Sequence, residues 1–91
     1  MYWIRPDDEV ADQIAALPSK ALEPFAEVLA LLEVAPEAGL LCNDEKPDGL
    51  RDVLFGPNKE GKLTYLLLVD QREVHLLRLI WVDLGEDHPD V

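Results

Sequence analysis

Cysteine is almost missing from this chain: Cys42 stands alone, which rules out an internal disulfide and any zinc site built on cysteines and makes a reducing compartment the expected setting. Basic residues are scarce too. Eight Lys and Arg face 19 Asp and Glu, giving a net charge of -11 and a pI near 4.3, a field that repels polyphosphates and draws basic partners. Nucleic acid, and with it the ribosome, is therefore disfavoured as a target. No apolar run nears the roughly 18 residues of a membrane span. The start, Met1-Tyr2-Trp3-Ile4-Arg5-Pro6-Asp7-Asp8-Glu9, lacks the basic-then-apolar order of a secretory leader, so a cytoplasmic protein with no membrane contact is expected. Repeats, heptads and low-complexity tracts are absent. Nothing implies a cofactor or a metal: Asp44, Glu45 and Asp48 lack calcium-loop spacing, and Glu86, Asp87 and His88 fare no better.

What is present is ordinary for a globular chain, with 48% hydrophobic and 30% charged residues. At 91 residues it makes one domain, residues 1–91, with an acidic tail expected to fray from about Gly85. Charge is uneven along it. Between Arg51 and Val82 five bases meet four acids, while the remainder holds three bases and fifteen acids. A basic sheet face on an acidic body is thus compatible with the overall pI.

The segment Arg51–Val82 reads as three consecutive antiparallel strands. Arg51 to Phe55 is closed by Gly56-Pro57-Asn58, a turn cluster, and Leu63 to Val69 is apolar at nearly every position, as suits a central strand covered on both faces. Asp70-Gln71-Arg72 makes a hairpin into Glu73–Val82. Strict alternation there puts Val74, Leu76, Arg78, Ile80 and Val82 on one face and His75, Leu77, Leu79 and Trp81 on the other. A lone arginine then interrupts an apolar row.

Upstream, Tyr2-Trp3-Ile4-Arg5 can add a strand that Pro6 ends. Asp7, Asp8 and Glu9 supply a cap and first-turn charge for a helix whose stripe is Val10, Ile14 and Leu17. Ser19 can cap a second helix carrying Leu22, Phe25, Leu29 and Leu32. Pro24 would cost that helix a backbone bond, which favours its regular part starting there. Pro36–Gly49 is a long connection. The order is β-α-α-β-β-β, an α+β class in which a two-helix hairpin packs on one face of an antiparallel sheet.

That order, with Leu17-Pro18 between the helices, the Arg51-Asp52-Val53 strand, the hairpin and Val74-His75-Leu76-Leu77-Arg78-Leu79, resembles the RelE/ParE superfamily of bacterial toxins from about Tyr2 to Trp81. The resemblance implies the toxin half of a toxin–antitoxin pair, neutralised when an antitoxin peptide wraps it. It implies either metal-free cleavage of messenger RNA on the ribosome, as in the RelE-like branch, or gyrase inhibition, as in the ParE-like branch. Three positions depart from the pattern. No arginine lies between Leu63 and Val69, where Thr64 or Tyr65 aligns; Trp81 replaces a terminal histidine; and Asp83, Leu84 and Gly85 replace the Arg or Tyr beyond it.

Metal-free RNA cleavage needs a base, an acid and cationic donors for the extra phosphate charge. Arg51, Lys62 and Arg78 are the candidate cations and Tyr65 a weak acid or base, if the four converge on one concave surface. His75 has the better pKa, but alternation turns it toward the helices, away from Arg78. Each also has a plain reading: Arg78 as a snorkelling or ion-paired side chain, Arg51 and Lys62 as edge charges, His75 as a hydrogen-bonded core residue, Trp81 as packing. The departures favour a member acting through protein contact, by a basic sheet face or an exposed sheet edge, with an antitoxin-like protein or peptide as partner. A homodimer stays open.

Overall fold

Two strands of the expected sheet are far apart in sequence but adjacent in space. In the computed structural model, which describes residues 1–41 and 49–82, β1 (Trp3–Pro6) runs parallel to the last strand, with Trp3 opposite Glu73 and Pro6 opposite Leu76. Cys42, the Asp44–Asp48 acids and the tail from Asp83, with the expectations placed on them, lie outside the described residues. The chain continues through α1 (Asp8–Ala15), α2 (Ser19–Val34), a 3-10 turn at Pro36–Ala38 and β2 (Leu40–Leu41). Then follow β3 (Leu50–Phe55), β4 (Gly61–Leu68) and β5 (Glu73–Trp81). Spatial order is β1-β5-β4-β3-β2. The β2 to β5 pairs are antiparallel, so the sheet is mixed, with one parallel edge added to the antiparallel ribbon.

Asp7 caps α1 as its position predicts, its Oδ1 accepting the Val10 N–H at 3.0 Å. The second helix departs from expectation at its start. It begins at Ser19, with Pro18 as cap, and runs through Pro24. Ala21 and Phe25 are both buried, and that packing offsets the backbone bond Pro24 cannot make. Helical Val10, Phe25, Val28 and Leu32 cluster with Phe55, Leu63, Tyr65, Leu67, Val74, Leu76 and Leu79 on one face of the sheet. The other face carries no layer among the described residues. β4 is central as expected, yet its alternate residues Thr64, Leu66 and Leu68 are only half-buried, which corrects the two-sided covering inferred from its apolar run.

The largest correction concerns β5. Tyr65 faces Leu76 while Thr64 faces Arg78, so Leu77 is an extra residue with no partner on β4. Such a bulge reverses which face the following side chains take. Val74, Leu76 and then Leu79 are buried, while Arg78 lies exposed on the opposite face, beside rather than inside the apolar row. The helices help to hold this irregularity. β1 ends opposite Leu76, whose carbonyl accepts the Asp7 N–H at 3.3 Å, and α1 supplies Gln13, whose Oε1 accepts the Leu79 N–H at 2.6 Å.

Candidate partner-binding surface

The four candidate residues are divided between the faces of the sheet. Arg51 pairs across the ladder with Tyr65, and cross-strand partners share a face, so both turn toward the helices. Tyr65 is fully buried; its hydroxyl donates to the Pro36 carbonyl at 2.5 Å and accepts the Gly39 N–H at 2.9 Å. Burial pushes the phenol pKa upward, against the opposing effects of the Gly39 N–H and Arg51. The Arg51 guanidinium donates to the carbonyls of Glu37 at 3.2 Å and Gly39 at 3.0 Å. Together the two side chains tie the 3-10 turn and β2 to the sheet.

Lys62 and Arg78 occupy the open face. Lys62 faces Ile80 and Thr64 faces Arg78, which makes the two cations diagonal neighbours. Convergence of all four on one concave surface is therefore corrected to two pairs on opposite sides. His75 also changes sides: it lies before the bulge and Arg78 after it, so both share the open face. His75 is not beneath the helices. Its Nε2 lies 2.7 Å from Glu73 Oε1, and Arg5 reaches Glu73 Oε2 at 3.1 Å from β1. The hydrogen bond with His75, with a further contribution from Arg5, holds the Glu73 carboxyl below the usual glutamate range. Sequence reasoning missed Glu73 and Arg5, which neighbour each other only through the parallel pairing. Trp81 packs at the core rim, its ring 5.8 Å from that of Phe55, in line with its plain reading.

Arg5, Lys62 and Arg78 share the open face with His75, against Asp52 and Glu73. Asp52 accepts a 2.6 Å bond from Thr64.

The far edge of the sheet has a different character. β2 covers only Arg51 and Asp52, so from Val53 to Phe55 the outer side of β3, away from β4, has no paired strand among the described residues. On the helix side of this edge a groove of about 450 Å³ lies between Pro24, Val28 and Leu31 of α2 and Val53, Phe55 and Pro57. On the open-face side a second hollow, about 530 Å³, is bordered by Leu40, Leu54, Lys59 and Lys62. Leu31, Leu40 and Leu54 are all exposed there. A bare strand edge between two apolar hollows is a geometry that accepts an extended peptide, since alternate side chains of an added strand fall to either side.

No protein-family model matches this chain, and no curated protein matches it by sequence. Solved structures do. The isolated E. coli RelE toxin aligns with a TM-score of 0.76 at 18% identity, over 94% of this chain and 89% of that one. RelE in the intact E. coli RelBE toxin–antitoxin complex aligns at 0.74 and 18%, over 91% and 99%. The archaeal RelE–RelB complex from Pyrococcus horikoshii OT3 aligns at 0.64 and 17%, over 88% and 93%. The chain has the fold of the RelE toxins.

Proposed function

We propose that this chain is the toxin-fold half of a toxin–antitoxin pair and works through protein contact, its antitoxin-like partner laid as an extended strand along the free edge of β3. The observation that carries the reading is that edge, without a paired outer strand from Val53 to Phe55 among the described residues and flanked by hollows on both sides of the sheet. The RelE–RelB complexes among the structural neighbours support a partner of antitoxin type. Lys59 and Lys62 beside the outer hollow favour acidic residues where the peptide crosses them. Engagement of Tyr65 and Arg51 with the 3-10 turn supports a role without RNA cleavage, because it leaves two of the four candidate groups holding backbone carbonyls.

A second reading rests on one arrangement. The Glu73–His75 pair shares the open face with Arg78 and Lys62, so an acid–base group and two cations remain for metal-free cleavage. Induced expression in a bacterium separates the readings through growth, message integrity and the DNA-damage response. The protein-contact reading expects intact messages, with any arrest persisting in Arg78→Ala and His75→Ala, and with Leu54→Lys escaping neutralisation by a co-expressed antitoxin-type partner. Cleaved messages that become intact in Arg78→Ala or His75→Ala overturn it in favour of the nuclease.

A further inference from the structure

We propose that the opposite edge of the sheet, β1, is a self-association surface on which a second copy of this chain adds its own β1, antiparallel, across a two-fold axis at Ile4. The backbone phase of β1 carries the argument. Trp3 N–H donates to Arg72 O at 2.9 Å and Asp7 N–H to Leu76 O at 3.3 Å, so in this parallel ladder residues 3, 5 and 7 turn their amide groups toward β5. The N–H and C=O of Ile4 lie between them and point off the sheet. Its neighbours offer no competing donor: the Tyr2 N–H is taken by Glu33 O at 2.9 Å, and Pro6 has none.

Two-fold pairing at Ile4 suits this pattern. Each Ile4 N–H meets the other copy's Ile4 carbonyl, giving two reciprocal bonds. Tyr2 falls opposite Pro6, so the residue without an N–H faces the one whose N–H is already engaged, and no donor is stranded. Trp3 falls opposite the second copy's Arg5. Both project on the open face; Trp3 is 73% exposed, and the Arg5 side chain is 61% exposed while anchored on Glu73. Reversal of a Trp-x-Arg strand on itself therefore sets an indole beside a guanidinium twice, a contact each copy supplies in full. Arg5 and Arg72 stand beside Glu33 and Glu73 here, but Asp7, Asp8 and Glu9 follow β1 directly, so the edge shares the acidic excess of the chain and contact is opposed at low ionic strength. Because β1 and β3 lie toward opposite edges of the sheet, self-association and partner binding are independent.

The interface is small, so a weak dimer is expected, favoured by salt that screens the repulsion between copies. Sedimentation velocity on untagged protein, up to about 1 mM and in about 0.3 M NaCl, reads it directly. Concentration-dependent dimerisation is expected for the wild type, with at least tenfold weakening in Trp3→Lys, which sets a lysine against Arg5, and in Arg5→Glu. Mixing the two variants sets the introduced lysine of one against the introduced glutamate of the other and restores the remaining Trp–Arg contact, so the mixture should associate at least tenfold more tightly than either alone. Both substitutions are at exposed positions, and circular dichroism checks their folding. A monomeric wild type across this range overturns the proposal. So does dimerisation that Trp3→Lys leaves unchanged, or a mixture no tighter than its components.

Discussion

Tyr65 is a phenol sealed inside a hydrophobic core, with both hydrogen-bonding roles of its oxygen filled by the backbone around Pro36–Gly39. Removing the oxygen in Tyr65→Phe strands a buried N–H and a carbonyl, and we expect a loss of about 1–3 kcal/mol at neutral pH, read from urea midpoints. The pH dependence has a definite sign. The folded-state pKa is raised, so this contribution is fully present below the ordinary tyrosine range near about 10, and is lost as pH rises through it toward the folded value. Wild-type stability should therefore fall more steeply between about pH 9 and 11 than that of Tyr65→Phe; parallel slopes would contradict the assignment. Glu73 supplies the opposite case at the acidic end. Its depressed pKa adds stability above the normal carboxylate range that disappears as pH falls through the folded value. A carboxyl-detected NMR titration should place Glu73 below an ordinary glutamate and move it upward in His75→Ala.

Among the elements, the two helices and four of the five strands were legible from periodicity and turn chemistry, because Asp7, Pro18, Gly56-Pro57 and Asp70-Gln71-Arg72 each act within a few residues, whereas the two-residue β2 lay unread in the Pro36–Gly49 connection. The facing of β5 was not legible. Both of its alternate rows are apolar, so inserting Leu77 exchanges one hydrophobic set for another without a conspicuous change in pattern. Arg78 was the surviving signal, an arginine out of place in the row that strict alternation gave it. Parallel pairing of β1 with β5 was hidden for another reason: it depends on where α1 and α2 return the chain, and no local motif encodes that. Gln13 joins these two features, since its Oε1 accepts the Leu79 N–H just past the bulge. Gln13→Ala should cost about 1–3 kcal/mol if that amide is left without a partner, and should speed hydrogen exchange at Leu79 more than at Leu67 in the strand next to it. A uniform increase in exchange across both strands would mean that Gln13 acts only through α1.

For the molecule as a whole, the candidate surfaces were partly visible in patterning: two of the segment's five bases, Lys62 and Arg78, do share the open face, though Asp52 and Glu73 lie there with them. Their companions were not visible, because Arg5 arrives by the parallel edge, and Arg51 and Tyr65 turn inward. The large acidic excess has its own consequence for stability. Nineteen acids against eight bases, held together by folding, repel one another more than they do in the expanded chain, so the native state bears an electrostatic cost set by ionic strength. The screening length shrinks from about 30 Å at 0.01 M to about 10 Å at 0.1 M, from roughly the size of a small domain to the spacing of neighbouring side chains. Adding NaCl should therefore raise the urea midpoint, with most of the gain made below about 0.1 M and little beyond, where only close pairs still interact. The Arg5–Glu73 pair works in the other direction, since salt weakens an exposed attraction. If self-repulsion dominates, as eleven uncompensated charges on a 91-residue chain imply, the wild type gains with salt, and Glu73→Gln, having lost the pair that salt weakens, gains at least as much. A midpoint that falls with salt would mean that local pairs such as this one, rather than the overall field, govern how the fold responds to its charge.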